Sequence, residues 1–219
     1  MKIYDSRVFH PSTMLICGPS GSGKTSFTLN LLECGNMIFN PHKPAFVILI
    51  YETWQSCYDV MLEKQLINLS IKGFNNIDYL KELFEQNKDK GGTMVIIDDQ
   101  MQNIDYNLVN IFTIYSHHLK VTCLLLTQSL FLSNKIYRVI SLNSNYIVLM
   151  KNTRDSSSVS ILAKQTHPFR TRFVTDAYLD ATRNPYSYLL MDLRQETPEE
   201  IRLRGNIFSD SISVYMQNT

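Results

Sequence analysis

The chain has 219 residues, of which 44% are hydrophobic and 19% charged, and a formal net charge of +1. That balance suits a folded globular chain and excludes both a disordered polyelectrolyte and a wholesale polycationic nucleic-acid coat, while leaving room for a local basic patch. Four cysteines without C-x-x-C spacing argue against a disulfide framework or a zinc site, and with no apolar leader and no run near the roughly 18 to 20 apolar residues of a membrane span, a soluble intracellular chain without a secretion signal is expected.

Residues 1 to 12 read as a short lead-in punctuated by Pro11 and Ser12. Thr13 to Cys17 is short and apolar, as a buried parallel strand should be. The eight residues Gly18-Pro19-Ser20-Gly21-Ser22-Gly23-Lys24-Thr25 then fit the pattern G-x-x-x-x-G-K-[ST] at every fixed position, and Ser26 to Leu32 carries apolar residues at helical spacing. Gly35-Asn36 predicts a helix stop. Ala45 to Tyr51 reads as a central parallel strand. Glu52 to Lys64 has mixed helical character, with Trp54, Tyr58 and Met61 taken as core packing. Ile67 to Ile71 alternates like a short strand, and Asp78 to Lys88 like an amphipathic helix ending at Asp89-Lys90-Gly91-Gly92.

Further strands are predicted at Thr93 to Asp99, Val121 to Leu126, Tyr146 to Met150 and Tyr186 to Asp192, with helices near Val159 to Lys164 and Asp176 to Arg183. Alternation of this kind implies an α/β fold with a doubly wound, mainly parallel sheet and helices on both faces. At this length one P-loop domain spanning 1–219 is expected, with a C-terminal strand and tail over 184–219.

The glycine loop has a specific chemistry. Its glycines let backbone amides curl round a β-phosphate, and the following helix adds the positive end of its dipole. Gly18 to Ser26 would cradle the nucleotide, with Lys24 reaching the β- and γ-phosphates and Thr25 offering its hydroxyl to Mg²⁺. Val95-Ile96-Ile97-Asp98 ends a buried strand in a carboxylate, which suits Asp98 to hold the metal. Asp99 is the candidate water-activating acid, one methylene shorter than the glutamate many ATP-hydrolysing chains use there. Gln128, after the next strand, is placed to contact a γ-phosphate or its water. Arg154 and Arg138 are candidates for a group acting on a neighbour's nucleotide. His117 and His118 have no partners at ligand spacing. Lys135, Arg138, Arg170, Arg172, Arg202 and Arg204 are candidates for a basic face.

The loop, the Val95 to Asp99 strand, Leu126-Thr127-Gln128, Lys151 to Asp155, Asn184 to Leu193 and Arg202 to Phe208 occur in an order that resembles the poxvirus-type genome-packaging ATPases, within the FtsK/HerA superfamily of P-loop DNA-pumping motors. The resemblance covers nearly the whole chain and implies ATP and Mg²⁺ as cofactors. It implies a homo-oligomeric ring, a pentamer or hexamer, moving double-stranded DNA into a preformed viral capsid through a portal vertex. It also implies residence in the host cytoplasm, the virus factory or the virion. Carried over by position, it makes Lys24 and Thr25 the nucleotide and metal residues, Asp98 the metal ligand, Asp99 the catalytic acid, Gln128 the sensor and Arg154 the group acting in trans. A nucleotide or nucleoside kinase and a slow ATP-dependent switch are the alternatives that the loop alone leaves open.

Overall fold

Alternation of side chains along the apolar strands sets the architecture. Leu15 and Cys17 point to one face of the sheet and Met14 and Ile16 to the other; Val95 and Ile97 alternate in the same way with Met94 and Ile96. A strand that is apolar on both faces is stable only between two layers of helices. The computed structural model describes residues 4–74, 76–98, 105–132 and 134–217, and in it both faces are covered.

In chain order, β1 (Val8–Phe9) leads into β2 (Thr13–Cys17), the glycine loop, α1 (Lys24–Glu33) and α2 (Gly35–Ile38). β3 (Phe39–Asn40) pairs in parallel with β1 as a separate ribbon. Then come β4 (Phe46–Tyr51), α3 (Ser56–Glu63), β5 (Leu69–Lys72), α4 (Ile77–Asn87) and β6 (Thr93–Asp98). Next are α5 (Tyr106–Asn110), a π-helical turn over Ile111–Tyr115, α6 (Ser116–His118), β7 (Val121–Thr127), α7 (Lys135–Leu142) and β8 (Tyr146–Met150). The chain closes with α8 (Ser157–Thr166), α9 (Thr171–Ala181), β9 (Tyr188–Asp192), β10 (Leu203–Gly205) and β11 (Ser213–Tyr215).

Among the described residues nine strands form one sheet in the order β11-β10-β9-β8-β2-β7-β6-β4-β5. The six from β8 to β5 are parallel. β9, β10 and β11 each run antiparallel to the preceding strand in the sheet. One face is packed by α1, α2 and α3 through Phe27, Leu31, Ile38 and Met61; the other is packed by α4, α5, α7, α8 and α9 through Phe84, Leu108, Tyr137, Leu162 and Val174. The mainly parallel, doubly wound reading therefore stands.

Several local readings change. Gly35-Asn36 does not stop the helical path, because α2 continues it for another turn after Cys34. The strand expected from Tyr186 begins at Tyr188, because the φ of 60° at Tyr186 takes it out of extended backbone, and it is not the last, since β10 and β11 follow it. The second C-terminal helix starts at Thr171, five residues before the expected Asp176. The proposed basic face is broken at one member: Arg204 is 0% exposed and pairs with Asp192 at 2.7 Å, so it has no surface to offer. Arg202 is held by Glu199 and by the Asp192 and Arg194 carbonyls. α7, β10 and β11 went unread because each is short or mixed in polarity. β10 and β11 owe their strand form to pairing with the strand next to them rather than to their own pattern.

Candidate functional site

Strand register builds the site. Cys17 of β2 lies opposite Thr127 of β7, and Leu126 of β7 opposite Asp98 of β6. The residues leaving those strands, Gly18, Gln128 and Asp98, therefore gather at the carboxyl ends of three adjacent parallel strands. Ligands of open α/β sheets bind at such ends.

The loop itself is shaped by backbone that only glycine adopts without strain. Gly21 and Gly23 have φ of 75° and 98°. A Cβ on Gly18 would lie 2.6 Å from both Met150 Cβ and Ser22 Oγ, so the chain passes there too closely for any side chain. α1 then starts at Lys24 after the N-cap Gly23, with no side-chain cap and no acid in its first turn. Its first N–H groups are open to an anion, and the helix dipole favours one. Ser22 Oγ is buried and makes no hydrogen bond, a hydroxyl directed into the loop. These features fit a phosphate group.

The cleft over the loop has a volume of about 450 Å³ and is lined by Ser20, Gly21, Gly23, Lys24, Thr25, Ser26, Gln55, Cys57, Asp98, Leu126, Gln128 and Tyr186. Lys24 Nζ donates to the Gly18 carbonyl at 2.8 Å and to the Pro19 carbonyl at 3.2 Å, which curls the ammonium back over the loop. Thr25 Oγ1 stands 3.3 Å from Asp98 Oδ2 and 3.2 Å from Gln55 Oε1. Two hard oxygens, one hydroxyl and one carboxylate, meet there as Mg²⁺ coordination requires. Thr25 and Asp98 would hold the ion, which when bound would neutralise phosphate charge.

Asp98 is 4% exposed. A carboxylate so deeply placed needs donors, and it has them. Tyr58 donates its hydroxyl to Oδ2 at 2.7 Å and Gln55 Nε2 approaches the same oxygen at 3.4 Å. The Tyr58 ring is held at ring-centroid distances of 5.9 Å from Tyr51 and 5.4 Å from Trp54. Tyr58 is thus core packing, as the spacing predicts, and also a partner of the metal-side carboxylate, which the spacing does not reveal. Gln55 was missed altogether. The register Tyr51↔Asp98 explains both, since it carries the residues after β4 to the side of Asp98.

The other expected residues divide cleanly. Gln128 lines the cleft. Asp99 lies outside the described residues. Arg154 is exposed in the turn after β8 and does not line the cleft of its own chain. That turn is closed by hydrogen bonds: Asn152 Oδ1 accepts from the backbone N–H of Arg154 and Asp155 at 2.9 and 3.2 Å. Hydrogen bonds from Ser158 and Ser157 hold the Asp155 carboxyl below the usual carboxylate range. Arg138 is exposed on α7, and His117 and His118 are exposed on α6. Burial pushes the Cys17 thiol up to about 12 despite the nearby Lys24, so beside the loop it is a packing residue and not a nucleophile. Burial, reinforced by Asp98 and Glu33, likewise raises Cys57.

Comparison with known proteins adds the fold. No family model matches the chain, and no curated protein does. Among solved structures it is similar to EssC (ATPases 2 and 3) from Geobacillus thermodenitrificans, with a TM-score of 0.53 and 14% identity over 69% of this chain and 34% of that one. It is similar to the cytoplasmic domain of the type VII secretion ATPase EccC from Thermomonospora curvata, with a TM-score of 0.52 and 14% identity over 93% of this chain and 25% of that one. A KaiC-like protein from Pyrococcus horikoshii matches over 94% of this chain and 90% of its own, with a TM-score of 0.50 and 14% identity. The fold is that of a P-loop NTPase. The chain spans only 34% and 25% of the EssC and EccC chains. Among the described residues no helix is long and apolar enough to cross a membrane.

Proposed function

We propose that the chain is an ATP-hydrolysing motor that moves double-stranded DNA into a preformed viral capsid as a homo-oligomeric ring. The observation that carries the hydrolytic half is the meeting of Thr25 Oγ1 and Asp98 Oδ2 at 3.3 Å beside the phosphate loop, with Gln128 just past the end of β7, the strand between β2 and β6. That arrangement has a place for a triphosphate, a place for Mg²⁺ and a polar side chain on the γ-phosphate side. Asp99, next in the chain to Asp98, is the proposed base for the attacking water. The DNA and capsid half is supported by the resemblance of the Asn184 to Leu193 and Arg202 to Phe208 segments to packaging ATPases. The secretion role in the EccC description belongs to that protein.

ATP turnover measured with and without double-stranded DNA tests the reading. Stimulation by DNA is the expected result. Phosphate transfer to a nucleoside would make the chain a kinase, and tight binding without turnover would make it a switch. Arg154, exposed in the turn after β8 and outside its own cleft, is the proposed contribution to the adjacent subunit's nucleotide. Mixed rings of Arg154→Ala and Lys24→Ala subunits should regain some of the activity that each lacks alone. Mixed rings that stay inactive would leave Arg154 a structural residue.

A further inference from the structure

Tyr186 lines the phosphate cleft, yet neither hydrolysis nor metal binding uses it. It is 69% exposed and sits at φ 60°, a backbone region that a bulky side chain occupies only at a cost. Strained positions of this kind cluster at ligand clamps, where the surrounding structure holds them in place. Here the holding is visible. Ser187 donates its N–H and its hydroxyl to the Asn184 carbonyl, at 3.5 and 2.6 Å, while the Lys151 N–H donates to the Ser187 carbonyl at 3.2 Å. The turn is thereby tied to the end of β8, and the ring is presented to the cleft. It stands over Gly23, where a Cβ would meet Tyr186 Cβ and Cδ1 at 3.4 Å.

Sheet order gives the direction of the ligand. From β2, the loop's own strand, β7 and β6 lie on one side and bring Gln128 and Asp98; β8 and β9 lie on the other and bring Tyr186. A triphosphate whose γ end faces Asp98 and Gln128 must send its nucleoside the opposite way, past Gly23 and towards Tyr186. We propose that the exposed ring of Tyr186 stacks on the nucleobase of the bound nucleoside triphosphate. This rests on the nucleotide reading of the loop. It adds a base subsite made of one aromatic face, whose position is set by the strained turn that closes the Asn184 to Ser187 segment.

Calorimetric titration of wild type, Tyr186→Gly and Tyr186→Phe with ATP and with inorganic tripolyphosphate, all with Mg²⁺, tests the proposal. Tyr186→Gly should weaken ATP binding about 5- to 150-fold, the span of base–aromatic stacking, while Tyr186→Phe stays within about twofold. Tripolyphosphate, which has no base, should bind all three alike. Glycine also relieves the positive φ, so Tyr186→Gly should melt at or above the wild-type temperature. ATP affinity unchanged in Tyr186→Gly would overturn the stacking. So would a parallel loss of tripolyphosphate binding, which would mean that the ring only supports the loop. If wild type bound neither ligand, or Lys24→Ala bound both as well as wild type, the nucleotide reading itself would fail, and the subsite with it.

Discussion

At the carboxyl ends of β2, β7 and β6 polar side chains point into an open cleft, whereas at the opposite end of the same sheet they close on one another. Asp192, 0% exposed, there binds Arg204 at 2.7 Å and Arg194 at 2.8 Å. The Arg194 guanidinium lies 3.9 Å from the centroid of the Phe9 ring, and Arg204 also donates to the Ser6 carbonyl. His10, 6% exposed, sits between Thr122 Oγ1 at 2.7 Å and the Gly91 carbonyl at 3.1 Å. The second contact requires the ring to donate from Nε2, so Nδ1 accepts from the Thr122 hydroxyl. One end keeps uncapped amides, a partnerless Ser22 hydroxyl and a strained Tyr186 for a ligand. The other pairs its buried charges with one another, and of its buried polar side-chain atoms only Ser12 Oγ, Thr93 Oγ1 and Arg204 Nε make no hydrogen bond among the described residues. Function and stability are thus concentrated at opposite ends of the same strands, and substitutions at the two ends should fail in different ways.

The largest effects should separate the ends most sharply. Asp192→Ala leaves Arg204 as a buried, uncompensated charge, and should cost about 3 to 5 kcal/mol of stability. For a chain of this size that lowers the melting temperature by roughly 6 to 20 °C, while turnover per folded molecule stays near wild type. Lys24→Ala should do the reverse: hydrolysis falls about 100-fold or more with little change in melting. Turnover that fell as far in Asp192→Ala as in Lys24→Ala would erase the distinction.

Acid should act on the stabilising end first. Burial lowers His10 to about 4 from its ordinary 6.5, with His42 and Lys120 adding to the effect. The unfolded chain therefore takes up the proton before the folded chain does. Stability from this group is complete above pH 6.5 and is lost as pH falls towards 4, by on the order of 2 kcal/mol. Denaturant midpoints of wild type and His10→Gln compared at pH 7.5 and 4.5 check it. The variant should lose less on acidification, and equal losses would rule out His10 as the source.

The smallest effect belongs to Tyr58. Removing its hydroxyl in Tyr58→Phe leaves the ring packing in place and takes one donor from Asp98. The Mg²⁺ concentration for half-maximal turnover should rise about tenfold. An unchanged Mg²⁺ requirement would mean that Tyr58 is packing alone.

How much of this was legible in the sequence depends on how far each feature reaches along the chain. Gly18 to Thr25 and the strand ending at Asp98 were readable because their chemistry is local: a fixed spacing, a run of apolar residues and a terminal carboxylate. Gln55 and Tyr58 were not, because their role arises from the pairing of β4 with β6, a contact some forty positions apart between Tyr58 and Asp98. Arg204 looked like a surface cation because arginine usually is one; only the fold brings Asp192 to it. The antiparallel edge was hidden for a similar reason. β9 is mostly apolar and fully buried, like the parallel strands β2 and β8, and direction leaves no mark on composition. Tyr186 read as strand because it adjoins one, and its positive φ follows from the turn at Asn184 to Ser187.

The measurement that bears most directly on the division between the two ends is thermal melting with and without saturating Mg-ATP. At ligand about 100 times Kd, binding to the folded state adds about 2.7 kcal/mol. Wild type and Asp192→Ala should therefore both shift upward by roughly 5 to 11 °C, the variant from a much lower start, and Lys24→Ala should not shift. A ligand shift that survives in Lys24→Ala, or is lost in Asp192→Ala, would contradict the account.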